Sequence, residues 1–185
     1  MTQNKKPNIK VLYDEQTLAT EVERLAKEVT AKLPENVLVI SILKGSFIFA
    51  ADLLRAIHRA GGTPDVEFIT LSSYGDRQTS SGKVQIMRDI TNEVKGREIL
   101  LVDDILESGR TMAFAKDLMY ARGAKTVRTC VLLDKPHNRV VDITPDHKAF
   151  DCDDLFVIGY GMDMAHGYRQ LPFIGVVVDD DEDDG

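Results

Sequence analysis

The residues most capable of chemistry follow one short apolar run. Residues 99–102 end in two adjacent carboxylates, Asp103 and Asp104, and one further apolar pair separates these from Glu107. A turn with hydroxyl groups and a glycine comes next: Ser108, Gly109, Arg110 and Thr111. Backbone N–H groups at a helix start bind phosphate, and adjacent carboxylates accept hydrogen bonds from ribose hydroxyls or hold hydrated Mg²⁺. Glu107 is then left free for acid–base work.

Each of these residues also has a purely structural explanation. Asp103 and Asp104 can simply end a strand, while Glu107 and Ser108 can stabilise the first turn of a helix through capping and the helix dipole. Taken singly, the structural explanation is the better one. The order of all of them within one short segment favours a binding site.

The hydrophobic pattern predicts the elements that position this segment. Apolar residues recur on one helical face after the candidate cap Asp14: Leu18, Val22, Leu25, Val29 and Leu33. Apolar, β-branched runs predict strands at residues 37–43, 66–71, 99–102, 126–133, 155–160 and 173–178, and helices are predicted at 47–59 and 110–122. Alternating strands and helices predict a parallel sheet wrapped by helices, in which ligands bind beyond the carboxyl ends of the strands.

Two segments do not fit this pattern. Residues 72–93 are rich in Ser, Thr, Gly, Asp and Arg, which predicts a long mobile loop with two short strands at most. Loops of that length often act as lids. Residues 179–184 are six consecutive carboxylates, so we expect a disordered tail over residues 179–185 and a single domain over residues 1–178.

Composition narrows the class of protein. With 185 residues, 43% of them hydrophobic and 29% charged, the chain is typical of a soluble globular domain. A net charge of -7 disfavours binding to a nucleic acid or to an anionic membrane. The sequence contains no run of eighteen apolar residues, so no membrane span is predicted. Two cysteines cannot build a disulfide framework, so we expect a cytoplasmic protein. From its charge and its lack of a long apolar stretch, we expect no nucleic-acid or membrane partner.

The segment ending at Thr111 resembles the phosphoribosyl-diphosphate signature of the type I phosphoribosyltransferases. That signature is an apolar strand, two acids, two apolar residues, an acid, Ser or Thr, Gly, any residue and Thr. Glu107 stands where the family has Asp. The resemblance covers roughly residues 9–178 and implies the family's α/β fold: a central, mostly parallel sheet flanked by helices, with a small hood formed by the N- and C-terminal segments.

Further segments resemble the hypoxanthine-guanine branch of that family at its purine site. Lys135 follows a predicted strand, like the family lysine that donates to the exocyclic oxygen of a 6-oxopurine. Phe156 is similar to the aromatic residue that stacks on the purine. Val157 is similar to the next residue, whose main chain reads the edge of the base.

The resemblance also implies a diphosphate site. Lys44 and Gly45 belong to a loop similar to one whose Leu–Lys peptide is often cis and whose backbone holds pyrophosphate. Arg169 has the spacing of a pyrophosphate-binding arginine, and Asp163 that of a Mg²⁺ ligand. The dipeptide Ser73-Tyr74 resembles the family's lid, which closes over the reacting centre.

By resemblance, the chain is a purine salvage transferase that moves 5-phosphoribosyl from phosphoribosyl diphosphate to N9 of hypoxanthine or guanine. Mg²⁺ is the implied cofactor, Glu107 the implied proton acceptor, and a homodimer or homotetramer the implied assembly. Two alternatives stay open: a nucleotide-sensing, RNA-binding regulator on the same fold, and a transferase that prefers adenine, orotate or xanthine. A lysine donor at Lys135 suits an oxo group better than the amino group of adenine.

Overall fold

The computed structural model describes residues 7–74 and 83–178, and the predicted acidic tail lies outside them. The elements in these ranges are β1 (Asn8–Tyr13), α1 (Glu15–Lys32), β2 (Leu38–Leu43), α2 (Phe47–Arg59), β3 (Asp65–Tyr74), β4 (Lys83–Arg88), β5 (Glu98–Leu106), α3 (Arg110–Ala121), β6 (Thr126–Asp134), a 3₁₀ helix (Pro136–Asn138), β7 (His147–Asp151), β8 (Val157–Ile158) and β9 (Ile174–Val178). None of the helices in these ranges combines the length and the apolar character that crossing a membrane requires.

Two sheets organise these elements. The central sheet has six strands in the order β4-β3-β2-β5-β6-β7, and all of its pairs are parallel except the antiparallel pair β3–β4. A smaller antiparallel sheet, in the order β1-β9-β8, joins the two ends of the described chain. This arrangement confirms the predicted α/β fold with its hood of N- and C-terminal segments.

The central strands are apolar along their whole length because both faces of the sheet are covered. Successive side chains of a strand point to opposite faces. In β2, Val39 joins a core cluster with α1 and α2, whereas Leu38 and Ile40 join a second cluster with α3. The continuous apolar run that predicted this strand is thereby explained.

Helix α1 forms as its sequence predicts. The carboxylate of Asp14 accepts a hydrogen bond from the backbone N–H of Thr17 at 2.8 Å, which caps the first turn. The five predicted apolar positions of this helix and its C-cap are buried against α2 and the sheet. Helix α1 therefore covers one face of the sheet together with α2.

The largest differences from the sequence prediction are at β5, at residues 72–93 and at β7, and β8 is also shorter than predicted, since it spans only Val157–Ile158. Strand β5 runs on to Leu106, so Asp103 and Asp104 lie within a strand and do not end one. Residues 72–93 were predicted as a long loop with two short strands, and strands are found there because β3 continues to Tyr74 and pairs with β4. Strand β7 was not predicted, because His147–Asp151 is mostly polar and forms a strand only through its pairing with β6.

Candidate active site

A cleft opens where β2, β5 and β6 end. Its larger cavity, of about 590 Å³, has the volume of a typical small-molecule site, and a smaller cavity of about 300 Å³ adjoins it. Both cavities share one set of wall residues: Leu43, Lys44, Gly45, Leu71, Asp104, Ile105 and Glu107. They are therefore two halves of one cleft.

The end of β5 forms the floor of the cleft because its neighbour β2 stops sooner. The last pair between the two strands is Ser41 with Val102, whereas β5 stays paired with β6 up to Leu106. The edge that carries Asp103 and Asp104 is thus no longer paired with β2, and the smaller cavity lies beside it. Both carboxylates line the smaller cavity, and Asp104 also lines the larger one.

The two carboxyl groups have different environments. Asp103 is buried and accepts a hydrogen bond from the backbone N–H of Asp104 at 3.0 Å. Burial raises the pKa of Asp103 well above its ordinary range, and the negative charge of Asp104 raises it further. A carboxyl group in this state can donate a hydrogen bond as well as accept one.

The turn after β5 points toward the smaller cavity. Ser108, Gly109 and Thr111 line it, whereas Arg110 lines neither cavity and its backbone N–H contacts the Ser108 hydroxyl at 3.4 Å. Gly109 has a φ of +83° and precedes α3, and a Cβ there would lie 2.7 Å from Ile143. Only glycine fits this tight helix start, whose dipole favours an anion.

The loop after β2 forms the opposite wall. The Leu43–Lys44 peptide is cis, and Lys44 is exposed at the rim of both cavities. Gly45 lies directly against Asp104: a Cβ at this position would be 1.8 Å from a carboxylate oxygen. The buried hydroxyl of Ser46 anchors the loop by donating to the Ile42 carbonyl oxygen at 2.5 Å.

The larger cavity ends in an aromatic ring and a buried cation. Phe156 is 60% exposed and lines this cavity, whereas Val157 beside it is buried in the core. Lys135 is only 5% exposed and donates from Nζ to the Leu155 carbonyl oxygen at 2.7 Å. An ammonium group has three donors, so this bond leaves others for a ligand.

Asp163 and Arg169 lie together on the far wall of the larger cavity. An Arg169 guanidinium nitrogen is 2.8 Å from an Asp163 carboxylate oxygen, and another donates to the Gly161 carbonyl oxygen at 2.7 Å. The second oxygen of Asp163 accepts the backbone N–H of His166 at 2.9 Å. Two predicted site residues that stand six positions apart thus form one ion pair.

Glu107 lies where both cavities meet, and its contact was not predicted. The side-chain amide of Asn138 donates to Glu107 Oε1 at 3.0 Å and to Asp154 Oδ1 at 2.7 Å. Asn138 follows Lys135 in an ordinary turn sequence, and nothing in that sequence points to a site. Met87 on β4 also lines the larger cavity and was not predicted.

Three of the predicted residues have no side chain that the structure places in the cleft. The backbones of Ser73 and Tyr74 end β3, whereas their side chains lie outside the described part of the structure. Arg110 directs no side chain into either cavity. The other predicted residues line one cleft, although they come from segments up to 125 positions apart, from Lys44 to Arg169.

A model of the phosphoribosyl transferase domain matches residues 8–165. The hypoxanthine-guanine phosphoribosyltransferase of Bacillus subtilis is 40% identical over 169 residues, which cover 91% of this chain and 92% of that protein. The chain belongs to the phosphoribosyltransferase family. It is a pentosyl-transferring enzyme, which confirms the resemblance found in its sequence.

Solved structures of this family share its fold. The hypoxanthine-guanine phosphoribosyltransferase of Bacillus anthracis, with a HEPES molecule in its active site, has a TM-score of 0.86 and 40% identity, and the match covers 92% of this chain and all of that one. The Trypanosoma cruzi hypoxanthine phosphoribosyl transferase has a TM-score of 0.87 at 33% identity, covering 96% and 95%. The phosphoribosyltransferase fold therefore extends over nearly the whole chain.

Proposed function

We propose that this transferase moves the 5-phosphoribosyl group from phosphoribosyl diphosphate to N9 of hypoxanthine or guanine, giving IMP or GMP and pyrophosphate. The order of groups along the cleft carries this proposal. An exposed aromatic ring and a buried ammonium group lie at one end, a helix start lies at the other, and the Glu107 carboxylate lies where the two cavities meet. The similarity to the hypoxanthine-guanine phosphoribosyltransferases of Bacillus subtilis and Bacillus anthracis supports the choice of purine.

The larger cavity holds the purine in this proposal. Phe156 stacks on the base, and an offset aromatic contact of this kind contributes about 0.5–1.5 kcal/mol beyond the area it buries. Lys135 donates to the 6-oxo group, and the main chain of Val157 reads the neighbouring edge. A fixed cationic donor matches an oxo acceptor and is poorly matched to the amino group of adenine.

The smaller cavity holds the ribose 5-phosphate. Backbone N–H groups and hydroxyls of Ser108, Gly109 and Thr111 bind the phosphate, and Arg110 contributes only its backbone. Asp103 and Asp104 bind the ribose hydroxyls. The raised pKa of Asp103 supports this role, because it favours the protonated form, which can donate a hydrogen bond while Asp104 accepts one.

The rim between the two cavities holds the pyrophosphate. Lys44, the backbone of Gly45, and Arg169 neutralise its charge. Among the described residues, no three His, Cys, Asp or Glu side chains form a metal site on their own. Mg²⁺ usually binds through one or two carboxylates together with substrate phosphates, and Asp163, which lines the larger cavity beside Arg169, fits that role. When bound, Mg²⁺ neutralises negative charge on the departing pyrophosphate.

The chemistry is a displacement at C1′ of the sugar. N9 of the purine forms a bond to C1′ while the bond from C1′ to the pyrophosphate oxygen breaks, and pyrophosphate leaves with the electron pair. The proton that the purine loses from N7 passes to the carboxylate of Glu107. Positive charge on the sugar requires that water be excluded, and we assign this role to a lid containing Ser73 and Tyr74.

Replacing Glu107 by glutamine tests this assignment. The amide keeps the shape of the side chain but cannot accept the proton, so turnover should fall about 10²- to 10⁴-fold. The affinity for IMP should change less than about threefold, because the other binding groups remain. The control is Glu93→Gln, which alters an exposed carboxylate away from the cleft. Unchanged turnover in Glu107→Gln would remove Glu107 from the mechanism.

Pyrophosphate release with each base in turn tests the substrate. We expect turnover with hypoxanthine or guanine and little with adenine or orotate; the reverse order would overturn the purine assignment. Activity with xanthine is measured in the same series. A salt-dependent affinity for RNA would instead support the alternative function, a nucleotide-sensing, RNA-binding regulator on the same fold. The net charge of -7 disfavours this alternative.

We also propose a cytoplasmic homodimer or homotetramer. Both cysteines, Cys130 and Cys152, are free and buried, which suits a reducing compartment. Phe47 and Phe68 are large apolar side chains that stay exposed, as at many subunit interfaces. Light scattering of the protein as it elutes from a size-exclusion column measures its mass and so tests the assembly. A monomer at micromolar concentration would refute the proposed oligomer.

A further inference from the structure

The amide of Asn138 bridges two carboxylates at the edge of the cleft. Its nitrogen donates to Glu107 Oε1 at 3.0 Å and to Asp154 Oδ1 at 2.7 Å. A side-chain amide has two N–H donors, and both bonds go to carboxylate acceptors. These contacts fix the orientation of the amide, because the reversed group would turn its oxygen toward two negative charges.

The backbone around Asn138 is tied to both sides of Glu107. The N–H of Lys135 donates to the Leu106 carbonyl oxygen at 2.9 Å, and the N–H of Val140 donates to the Ser108 carbonyl oxygen at 2.9 Å. Asn138 lies between Lys135 and Val140, and Glu107 lies between Leu106 and Ser108. The two hydrogen bonds therefore hold these two segments side by side. Asn138 is consequently held in register with the carboxylate it contacts.

The contact depends on the length of the glutamate side chain. An aspartate at this position, as in the family signature, is shorter by one carbon–carbon bond, about 1.5 Å. Retracting the carboxylate by that amount would stretch the 3.0 Å contact beyond hydrogen-bond reach. The amide of Asn138 is thus placed to suit a glutamate and would miss an aspartate.

We infer that Asn138 is a positioning residue, which holds the longer Glu107 side chain in one orientation with Asp154 as its support. The inference rests on the proposed role of Glu107 as proton acceptor. A glutamate has one more rotatable bond than an aspartate, so its carboxylate must be fixed before it can meet a proton at a defined point. Asn138 and Asp154 supply that restraint in this chain.

A double-mutant cycle tests this coupling. The four proteins are the wild type, Asn138→Ala, Glu107→Asp and the double variant, each assayed for kcat, KM for both substrates and thermal midpoint. Asn138→Ala should lower kcat about tenfold with little change in either KM, since it misorients the proton acceptor without removing a binding group. In the Glu107→Asp background the same substitution should change kcat less than about twofold.

Two further proteins make the outcome decisive. Asn138→Leu has a similar size but neither donors nor a charge, so it should match Asn138→Ala and replaces it if alanine prevents folding. Asn92→Ala, an exposed asparagine away from the cleft, is the control. An equal loss of kcat in both backgrounds, or no loss in the wild-type background, would overturn the inference. If Glu107→Gln keeps full turnover, the failure lies instead with the proposed role of Glu107.

Discussion

Replacing Gly159 by alanine tests how tightly the loop that carries Phe156 and Asp163 is packed against the start of β9. Gly159 has a φ of +94°, and a Cβ there would lie 2.1 Å from the Phe173 carbonyl oxygen and 3.1 Å from Leu171 Cβ. Gly159 also exchanges two backbone hydrogen bonds of 3.0 Å with Met162. The residue therefore has no room for a side chain unless one backbone segment moves.

The size of that movement sets the expected effect. Real Cβ contacts essentially never fall below 3.0 Å, so the oxygen and the new carbon must separate by at least about 0.9 Å. A displacement of roughly 1 Å at a catalytic site costs about 100-fold in rate. We therefore expect kcat/KM to fall about 100-fold, which corresponds to about 2.7 kcal/mol of transition-state stabilisation. The unfavourable φ should also lower the free energy of unfolding by about 1–3 kcal/mol.

Gly61 is a matched control for the backbone conformation. Its φ is +96°, it follows α2 on the surface, and nothing lies within 4 Å of a Cβ built there. Gly61→Ala should therefore lose stability through φ alone and keep its kcat/KM. The assay is steady-state pyrophosphate release, with urea unfolding of each protein. The reasoning is refuted if Gly159→Ala keeps wild-type kcat/KM, or if Gly61→Ala loses as much of it.

Two further predictions concern Lys135 and Glu28. Lys135→Met leaves the Leu155 carbonyl oxygen without its donor and removes the cation from the base site, so KM for the purine should rise about 10- to 100-fold. KM for phosphoribosyl diphosphate should stay within about threefold of the wild-type value. An equal rise in the KM values of both substrates would contradict the assignment of Lys135 to the purine site. Hydrogen bonds from Lys32 and His147 lower the pKa of Glu28 from 4.5 to about 2. Its stabilising contribution, about 1 kcal/mol for a partly exposed group, is therefore complete above pH 4.5 and lost as the pH falls toward 2. Urea unfolding of Glu28→Gln should show a deficit at pH 7 that vanishes near pH 2; a deficit independent of pH would exclude this origin.

Local sequence predicted the elements that have strong patterns. Leu18, Val22 and Leu25 recur at helical spacing, and α1 forms there with Asp14 as its cap. The apolar run of β2 predicted a strand covered on both faces. Such elements are readable because side-chain periodicity along the chain reflects which face is buried.

Boundaries that depend on a neighbouring strand were predicted less well. The residues Asp103 and Asp104 are poor strand formers, yet β5 runs through them because β6 supplies the hydrogen bonds. The same holds for the end of β3, which pairs with β4, and for polar β7, which pairs with β6. Pairing energy from a distant segment overrides local preference at these places.

The sequence by itself determined the α/β fold, the family and most of the residues that line the cleft, because the motif at residues 99–111 carries its binding groups within one continuous segment. Only the tertiary structure decided which of these groups meet. Asn138 reaches Glu107 across 31 positions because the chain after β6 is tied to the end of β5, and the pairing of β2 with β5 ends before Asp104. Such contacts depend on strand register and strand length, which no local pattern records.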